Sequence, residues 1–404
     1  MADSGNVLSL QLNKLAIGGI RLDPACCNRV SIYESITQPG ITGTIEFKDW
    51  QGLMELGQPI LGDDIDISFG SEDRSVHSLK FTLLSIGSIQ EFEDATFNVY
   101  QVTFCSPWLV PAFSSQISKA YKDKYIHEIV QDLLTECKAK VGFIEPTKQK
   151  LEHYCSPLWT PARSITQLLS YAINEQRVGG YVMWTDYVTG KVNCTTVDWI
   201  LKNMGQTDKP MFMKAGNWKY EGRVHSMTVE QDFDLIKFLN MGMGKTQIFA
   251  MDYDRDQHYI TKENIKEYTH QHLAKKYPIP EKYFSEEYMS KTSSELYPVK
   301  EAIVEEDDFK DQVDGNLFST YTWFFSDINK VNVLVNPNSD RRVGMKQRLD
   351  YPSVNEAKKD FSKQFQGNYL IRSIHHIITQ GDYIQAVTLA SDGYHSHDKP
   401  LVSW

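Results

Sequence analysis

Three short blocks of this sequence recur in the same order much further along the chain. Leu61-Gly62, with Ile67 and Phe69 after it, is matched by Val343-Gly344 with Leu349 and Tyr351, 282 residues later. Ser85-Ile86-Gly87-Ser88-Ile89 is matched by Ser373-Ile374-His375-His376-Ile377 at a distance of 288 residues. Val102-Thr103-Phe104-Cys105-Ser106 is matched by Val387-Thr388-Leu389-Ala390-Ser391 at 285. Identities are few, but preserved order with a small drift in spacing is what a duplicated strand unit leaves behind when its loops differ in length. The drift has a place to go. Ser353-Val354-Asn355-Glu356 reads as a capping box opening a helix with Ala357, Phe361 and Phe365, closed by Gly367. A chain that uses one strand unit twice is confined to few architectures.

The strand signals agree with this. Leu8, Leu10 and Leu12 alternate until Gly18-Gly19 breaks the run, and residues 32–47 are strand-like around a turn expected at Pro39-Gly40. In Asp64-Ile65-Asp66-Ile67-Ser68-Phe69 every second residue is apolar, the period of a strand with one dry face. Residues 83–89 and 97–104 add two more strands, so residues 1–111 are expected to form a small antiparallel barrel. The pattern then changes period. In residues 125–137 the apolar positions are 126, 129, 130, 133, 134 and 137, one face of a helix. Thr160-Pro161 starts a second helix with the stripe Ile165, Leu168, Leu169, Ala172 and Ile173, because Thr caps free N–H groups and Pro fits the first turn. A hairpin over 181–197, turning near Thr189-Gly190, and a short helix ending at Gly205 complete an α+β module at 112–215.

Strand signals return from Tyr220, at 318–325, 331–335, 369–379 and 383–389, so 216–404 is expected to hold the second barrel. It is interrupted at about 254–315 by a stretch rich in Glu, Lys, Asp and Tyr, with the acidic run Glu305-Glu306-Asp307-Asp308, read as an exposed insertion. The expected class is α+β, mainly β: two similar antiparallel β-barrel domains, an α+β module between them and an inserted charged segment.

Net charge of −10 argues against tight nucleic-acid binding, which draws most of its affinity from phosphate neutralisation. Six cysteines, two of them adjacent at Cys26-Cys27 and none in a Cys-x-x-Cys pair, do not make a disulfide framework and fit a reducing compartment. The first residues lack a basic start and an apolar run, so no secretory signal is expected, and no apolar stretch is long enough for a membrane-spanning helix.

Motifs for chemistry fail on inspection. Gly242-Met243-Gly244-Lys245-Thr246 lacks the earlier glycine of a phosphate-cradling loop, because position 239 is Leu. His127-Glu128-Ile129-Val130 starts like a helical zinc motif, but residue 131 is Gln, so a second imidazole is missing from that face. His270/His272, His375/His376 and His395/His397 have no cysteine or carboxylate cluster in supporting spacing. No Gly-x-Ser-x-Gly elbow is present, and no carboxylate pair stands out. No catalytic, cofactor-binding or metal-binding residue is assigned, and an enzyme is not expected.

Tyr33-Glu34-Ser35-Ile36 followed by Ile41-Thr42-Gly43-Thr44-Ile45, then Trp159-Thr160-Pro161-Ala162-Arg163-Ser164-Ile165, Tyr181-Val182-Met183-Trp184, and Tyr369-Leu370-Ile371 through Ile374 and His376 to Asp392-Gly393 follow one another in a familiar order. The sequence resembles the baseplate central hub proteins of contractile-tailed bacteriophages over most of its length, with 254–315 unmatched. The resemblance implies a virion structural protein, assembled in the host cytoplasm, in which two tube domains per subunit form a homotrimeric ring of pseudo-six-fold symmetry. Such a ring joins a hexameric tail tube, or its initiator, to a trimeric central spike within the baseplate wedges, with the tape measure protein a further candidate neighbour. DNA passes through it transiently during ejection, and an acidic balance suits a wall that must not hold phosphate. The alternatives are the hub of a related contractile injection or type VI secretion system, or a tail-associated cell-wall hydrolase. The capping box yields a direct check: Ser353→Ala should cost about 1 kcal/mol, read as a lowered melting temperature, and an unchanged melt would remove the cap.

Overall fold

The computed structural model describes residues 11–70, 77–90, 97–207, 210–212, 222–230, 235–240, 245–252, 257–264, 289–296, 302–303, 329–338, 340–350, 365–379 and 382–391, and residues 311, 315 and 319. The first part is β1 (Gln11–Ile17), β2 (Ile20–Leu22), β3 (Cys27–Ser35), β4 (Gln38–Asp49), α1 (Leu53–Gly57), β5 (Asp64–Gly70), β6 (His77–Gln90) and β7 (Asn98–Cys105). There follow α2 (Leu109–Ser114), β8 (Ile117–Tyr125), α3 (Ile126–Glu136), β9 (Lys140–Ile144), β10 (Lys150–Trp159), α4 (Pro161–Ser170), β11 (Tyr181–Thr185), β12 (Lys191–Thr196) and α5 (Val197–Asn203). The rest is β13 (Met211–Phe212), β14 (Val224–Glu230), α6 (Leu235–Asn240), β15 (Lys245–Asp252), β16 (Gln257–Asn264), β17 (Met289–Leu296), β18 (Ala302–Ile303), β19 (Asn329–Val335), β20 (Lys346–Asp350), β21 (Gly367–Thr379) and β22 (Tyr383–Ser391).

The protein is mainly β and its sheets are mostly antiparallel. One 13-stranded sheet runs β14-β19-β22-β21-β3-β4-β7-β6-β5-β1-β2, with β20 and β13 attached at β21. It contains the same five-strand unit twice. Unit 1 has the order β3-β4-β7-β6-β5 and unit 2 the order β14-β19-β22-β21-β20, every neighbour antiparallel.

The correspondence extends to single hydrogen bonds. The ladder slips between Leu83 and Ser85 in β6 and between Ile371 and Ser373 in β21, which are counterparts at a distance of 288. It slips again between Cys27 and Arg29 in β3 and between Val224 and Ser226 in β14, counterparts at 197. Gly62 and Gly344 both have positive φ, 99° and 84°, and donate their N–H to the carbonyls of Leu83 and Ile371 at 2.9 and 2.8 Å. A residue other than glycine would be strained there, which is why the pair survives when most identities have gone. Bulges persist for a related reason: moving one would turn every later side chain to the wrong face.

Each unit buries the apolar side of its alternation. Ile65, Ile67 and Phe69 of β5 are closed off in one core with Ile45, Phe81 and Phe104, and Val331, Val333 and Val335 of β19 in another with Leu349, Ile374 and Leu389. Among the described residues the sheet is open and no barrel closes. The expectation of two separate barrels gives way to two open units in one sheet, because β21 spends its first half on β20 and its second on β3.

Between the units in sequence lies a third core, built from both helical stripes. Ile126, Ile129, Val130, Leu133, Leu134 and Cys137 of and after α3 pack with Ile165, Leu168, Leu169 and Ala172 of and after α4. Thr160 Oγ1 accepts from Arg163 N at 3.3 Å, the cap expected of it. Two small sheets, β18-β10-β8 and β11-β12-β9, flank these helices. Asp311 and Gly315 of the charged stretch do not lie free. Asp311 is 2% exposed and paired with Lys148 and Arg177, and a Cβ on Gly315 would sit 2.2 Å from Tyr171 O.

Two local readings change. The turn between β3 and β4 is at Ile36-Thr37, where Thr37 N donates to Ser35 Oγ at 3.1 Å, while Pro39-Gly40 lies inside β4. Gly40 is there for packing: a Cβ would come 2.5 Å from a methyl of Leu109. Ser319, within the 318–325 stretch read as a strand, is helical, like Asp311 and Gly315 four and eight residues before it. The Ser353 capping box, the acidic run 305–308 and the Asp392-Gly393 turn lie outside the described residues.

Gly43 tests the packing of unit 1. A Cβ there would fall 2.2 Å from Ser31 O and 2.4 Å from the Phe104 ring. The carbonyl belongs to a paired strand and cannot retreat, so Gly43→Ala should cost about 2 kcal/mol by overpacking. Thermal melting checks this; wild-type stability would show that β3 can move away from β4.

Candidate assembly surface

The two units meet edge to edge along β3 and β21. Seven residue pairs, from Ser35↔Ser373 to Arg29↔Thr379, join them. On one face, Tyr33 and His375 stack with ring centroids 3.8 Å apart. On the other, Val30 and Ile32 are followed by Glu34, which breaks the apolar alternation and is 2% exposed. Glu34 Oε1 lies 3.2 Å from His376 Nε2, and His376 Nδ1 lies 2.6 Å from the hydroxyl of Tyr383. Gln385 Nε2 donates to that hydroxyl at 2.9 Å, and buried Arg341 donates to Gln385 Oε1 and Asn336 O.

Burial decides the protonation of this cluster. It raises Glu34 well above the usual carboxylate range, with Asp186 adding to the effect and Arg342 opposing it. It pushes His376 down to about 3, helped by the positive charge of Arg341. Burial therefore favours the neutral form of both partners. The arrangement that satisfies all contacts has the Glu34 acid O–H donating to Nε2 and Nδ1–H donating to Tyr383. The other oxygen, Glu34 Oε2, has no hydrogen-bond partner among the described residues, and an ionised carboxylate would be costly there. This contact ties residue 34 to residue 376 and so joins the two units.

The histidines weighed for metal binding have other work. His375 and His376 are consecutive in β21 and point to opposite faces, one onto Tyr33 and one into the Glu34 cluster. His127 Nδ1 accepts from Thr147 N at 3.0 Å and so holds the loop before β10. Lys245 begins strand β15, so a phosphate loop's strand-to-helix setting is missing after it. His270, His272, His395 and His397 lie outside the described residues. Among the described residues no group of three His, Cys, Asp or Glu side chains is placed to hold a metal, and no helix is long and apolar enough to cross a membrane. Glu34, Tyr383, Gln385 and Arg341 were not singled out by sequence. The one available signal was Glu34 itself, an acid at a position where strand parity requires an apolar residue.

Among the strand edges without a partner strand in the described residues are the second half of β6, from Ser85, and the outer side of β14. They are the counterparts of the two edges already joined, because β6 corresponds to β21 and β14 to β3.

No protein-family model matches the chain, and no curated protein does. Solved structures do. A tail protein from Neisseria meningitidis is 9% identical, with a TM-score of 0.57 over 95% of this chain and 97% of that one. A 43 kDa tail protein of prophage MuSo2 from Shewanella oneidensis is 10% identical, with a TM-score of 0.55 over 94% and 97%. The chain has the fold of these tail proteins nearly from end to end.

Glu34 carries a pH signature. Its folded pKa lies above the ordinary value of about 4.3, so its contribution is fully present below that pH. It is lost as pH rises towards the folded value, because the unfolded chain releases a proton that the folded one retains. Glu34→Gln removes this slope and leaves the His376 contribution common to both proteins. The melting temperature of the variant relative to wild type should therefore rise from pH 5 to pH 8. A difference that does not change with pH would mean that Glu34 is ionised in the fold.

Proposed function

We propose that this chain is a structural component of a phage tail, the central hub of a baseplate. Three copies close into a ring of pseudo-six-fold symmetry in which the two five-strand units, as tube domains, alternate around a central channel. Residues 1–111 and 216–404 supply the tube domains, and 112–215 is the α+β module carried outside them. The ring receives the hexameric tube or its initiator on one side and the trimeric spike on the other. Wedge proteins surround it, a tape measure protein is a further neighbour, and DNA crosses it during ejection. Its role needs geometry, not catalysis.

The observation that carries the reading is the joint within the chain. Unit 2 presents β21 to β3 of unit 1, and the counterpart edges, β6 of unit 1 and β14 of unit 2, are left over. An exposed strand edge is a template for another strand. A second copy can fill both leftover edges by repeating the joint that already exists, and three chains with two units each close such a series into six positions. The likeness in fold to the tail proteins of Neisseria meningitidis and prophage MuSo2 supports the same reading.

The repeat also sets the register. His375 faces Tyr33 in the internal joint, and their counterparts are Gly87 and Glu230. A Cβ at Gly87 would meet nothing nearer than Gln101 O at 3.8 Å, so a cysteine fits. Gly87→Cys combined with Glu230→Cys should crosslink under mild oxidation into dimers and closed trimers, with no larger species, on non-reducing gels. Monomers alone, or an open ladder beyond three, would overturn the ring.

A further inference from the structure

At the joint inside the chain the apolar side chains of the two edges are completely enclosed. Val30 and Ile32 of β3 and Ile374 of β21 are all 0% exposed. The ladder sets Val30 against Ile378, Ile32 against His376 and Ile374 against Glu34. Their counterparts sit on the two leftover edges. At the spacings that relate β3 to β14 and β21 to β6, Val30 corresponds to Met227, Ile32 to Val229 and Ile374 to Ile86. All three are again apolar, but each is only partly buried.

Strand pairing places them on the core side of the sheet. Met227 and Val229 lie opposite Val333 and Val331 of β19, both buried in the core of unit 2. Ile86 lies opposite Val102 of β7, buried in the core of unit 1. Thr228 and Glu230, which alternate with Met227 and Val229, are exposed on the other face. Each core therefore runs out to an edge strand and ends there on apolar side chains that stand partly in water. An edge meant to stay in water is usually blunted by a charge or a proline on that face, and neither edge carries one at these positions.

We infer that Ile86 of one copy meets Val229 and Met227 of the next, joining the core of unit 1 to the core of unit 2 across the chain boundary as Ile374, Ile32 and Val30 do within the chain. This rests on the ring proposed above and deepens it. The occupant is a second copy because the internal joint, repeated with its own register, brings these residues together. It sets Val229 opposite Ser88 and Met227 opposite Gln90, with Ile86 diagonal to Val229 and within its reach. The strand edges set the register, and the shared core supplies the burial that holds the copies. Backbone pairing alone exchanges hydrogen bonds with water for hydrogen bonds with protein and yields little net affinity. Removal of apolar area from water is what stabilises an interface core.

The test uses the full chain. Val229→Thr and Ile86→Thr keep the branched shape that a strand prefers and put a hydroxyl where the shared core is dry. Sedimentation across a concentration series reads the midpoint of assembly, and each substitution should move it upward by about tenfold. The melting temperature of dilute protein should stay near that of wild type, because both side chains already stand partly in water in the single chain. The same change at the counterpart, Ile374→Thr, should instead lower the melting temperature of dilute protein. Val229→Cys and Ile86→Cys give a second readout that does not depend on stability. Alkylation of the new thiols should be lost on assembly, with Cys155, exposed on β10, as the internal reference. If wild type forms trimers while both threonine variants assemble at its midpoint, or if the new thiols react alike in monomer and trimer, the shared core is wrong and the ring stands. If wild type neither assembles nor crosslinks through the Gly87 and Glu230 positions, the ring itself has failed and the shared core falls with it.

Discussion

The structure depends on one strand-to-strand joint. β3 and β21 are separated by more than three hundred residues of chain, yet their seven pairs make a single sheet of two repeated units. Closing so long a loop carries an entropic cost that local contacts cannot offset. The joint meets it with a ladder of backbone hydrogen bonds, a stacked Tyr33–His375 pair on one side and the buried Glu34–His376–Tyr383 contact on the other. The buried acid is a costly device for stability alone. It does give the joint an identity: the counterparts of Glu34 and His376 are Gln231 and Ser88, which cannot make the same acid–imidazole contact. The internal joint is thereby marked off from the copies of it that assembly would create.

The α+β module is fixed to this sheet by contacts of another kind. Thr185 Oγ1 donates to Pro39 O at 2.8 Å and accepts from Trp108 Nε1 at 3.2 Å, linking the module to the start of β4. Arg342 reaches Asp186 at 3.4 Å from the unit 2 side. Asp311 brings in the end of the charged stretch through Lys148 and Arg177, and β18 adds to β10 beside it. A module held to both units resists their sliding past one another.

Much of this was written in the sequence in recognisable form. The 282, 288 and 285 spacings align residues that prove to share hydrogen-bonding positions, from Gly62 and Gly344 to Thr103 and Thr388. Period two marked β5, and period 3.6 marked α3 and α4, although Ala172 and Ile173 of the second stripe lie beyond the end of α4 at Ser170. The misplaced turn shows the limit of such reading. Pro39-Gly40 has turn chemistry, but Leu109 needs the space over Gly40, and the reversal falls instead at Ile36-Thr37, a pair with no turn signature. Ser319 shows the same limit: it is helical inside a stretch whose composition reads as a strand.

What the sequence determined by itself was periodicity and repetition, because side-chain alternation and the demand of a positive φ act on residues next to one another. It determined that one strand unit occurs twice, that Gly62 and Gly344 hold equivalent places in it, and which faces are apolar. Only the tertiary structure decided which edges of the two units meet, that neither unit closes on itself among the described residues, and that Glu34 and His376 share one buried place. Strand pairing is made by backbone groups that every residue carries alike. The choice of partner edge is therefore absent from the local pattern and emerges only when the whole sheet is assembled.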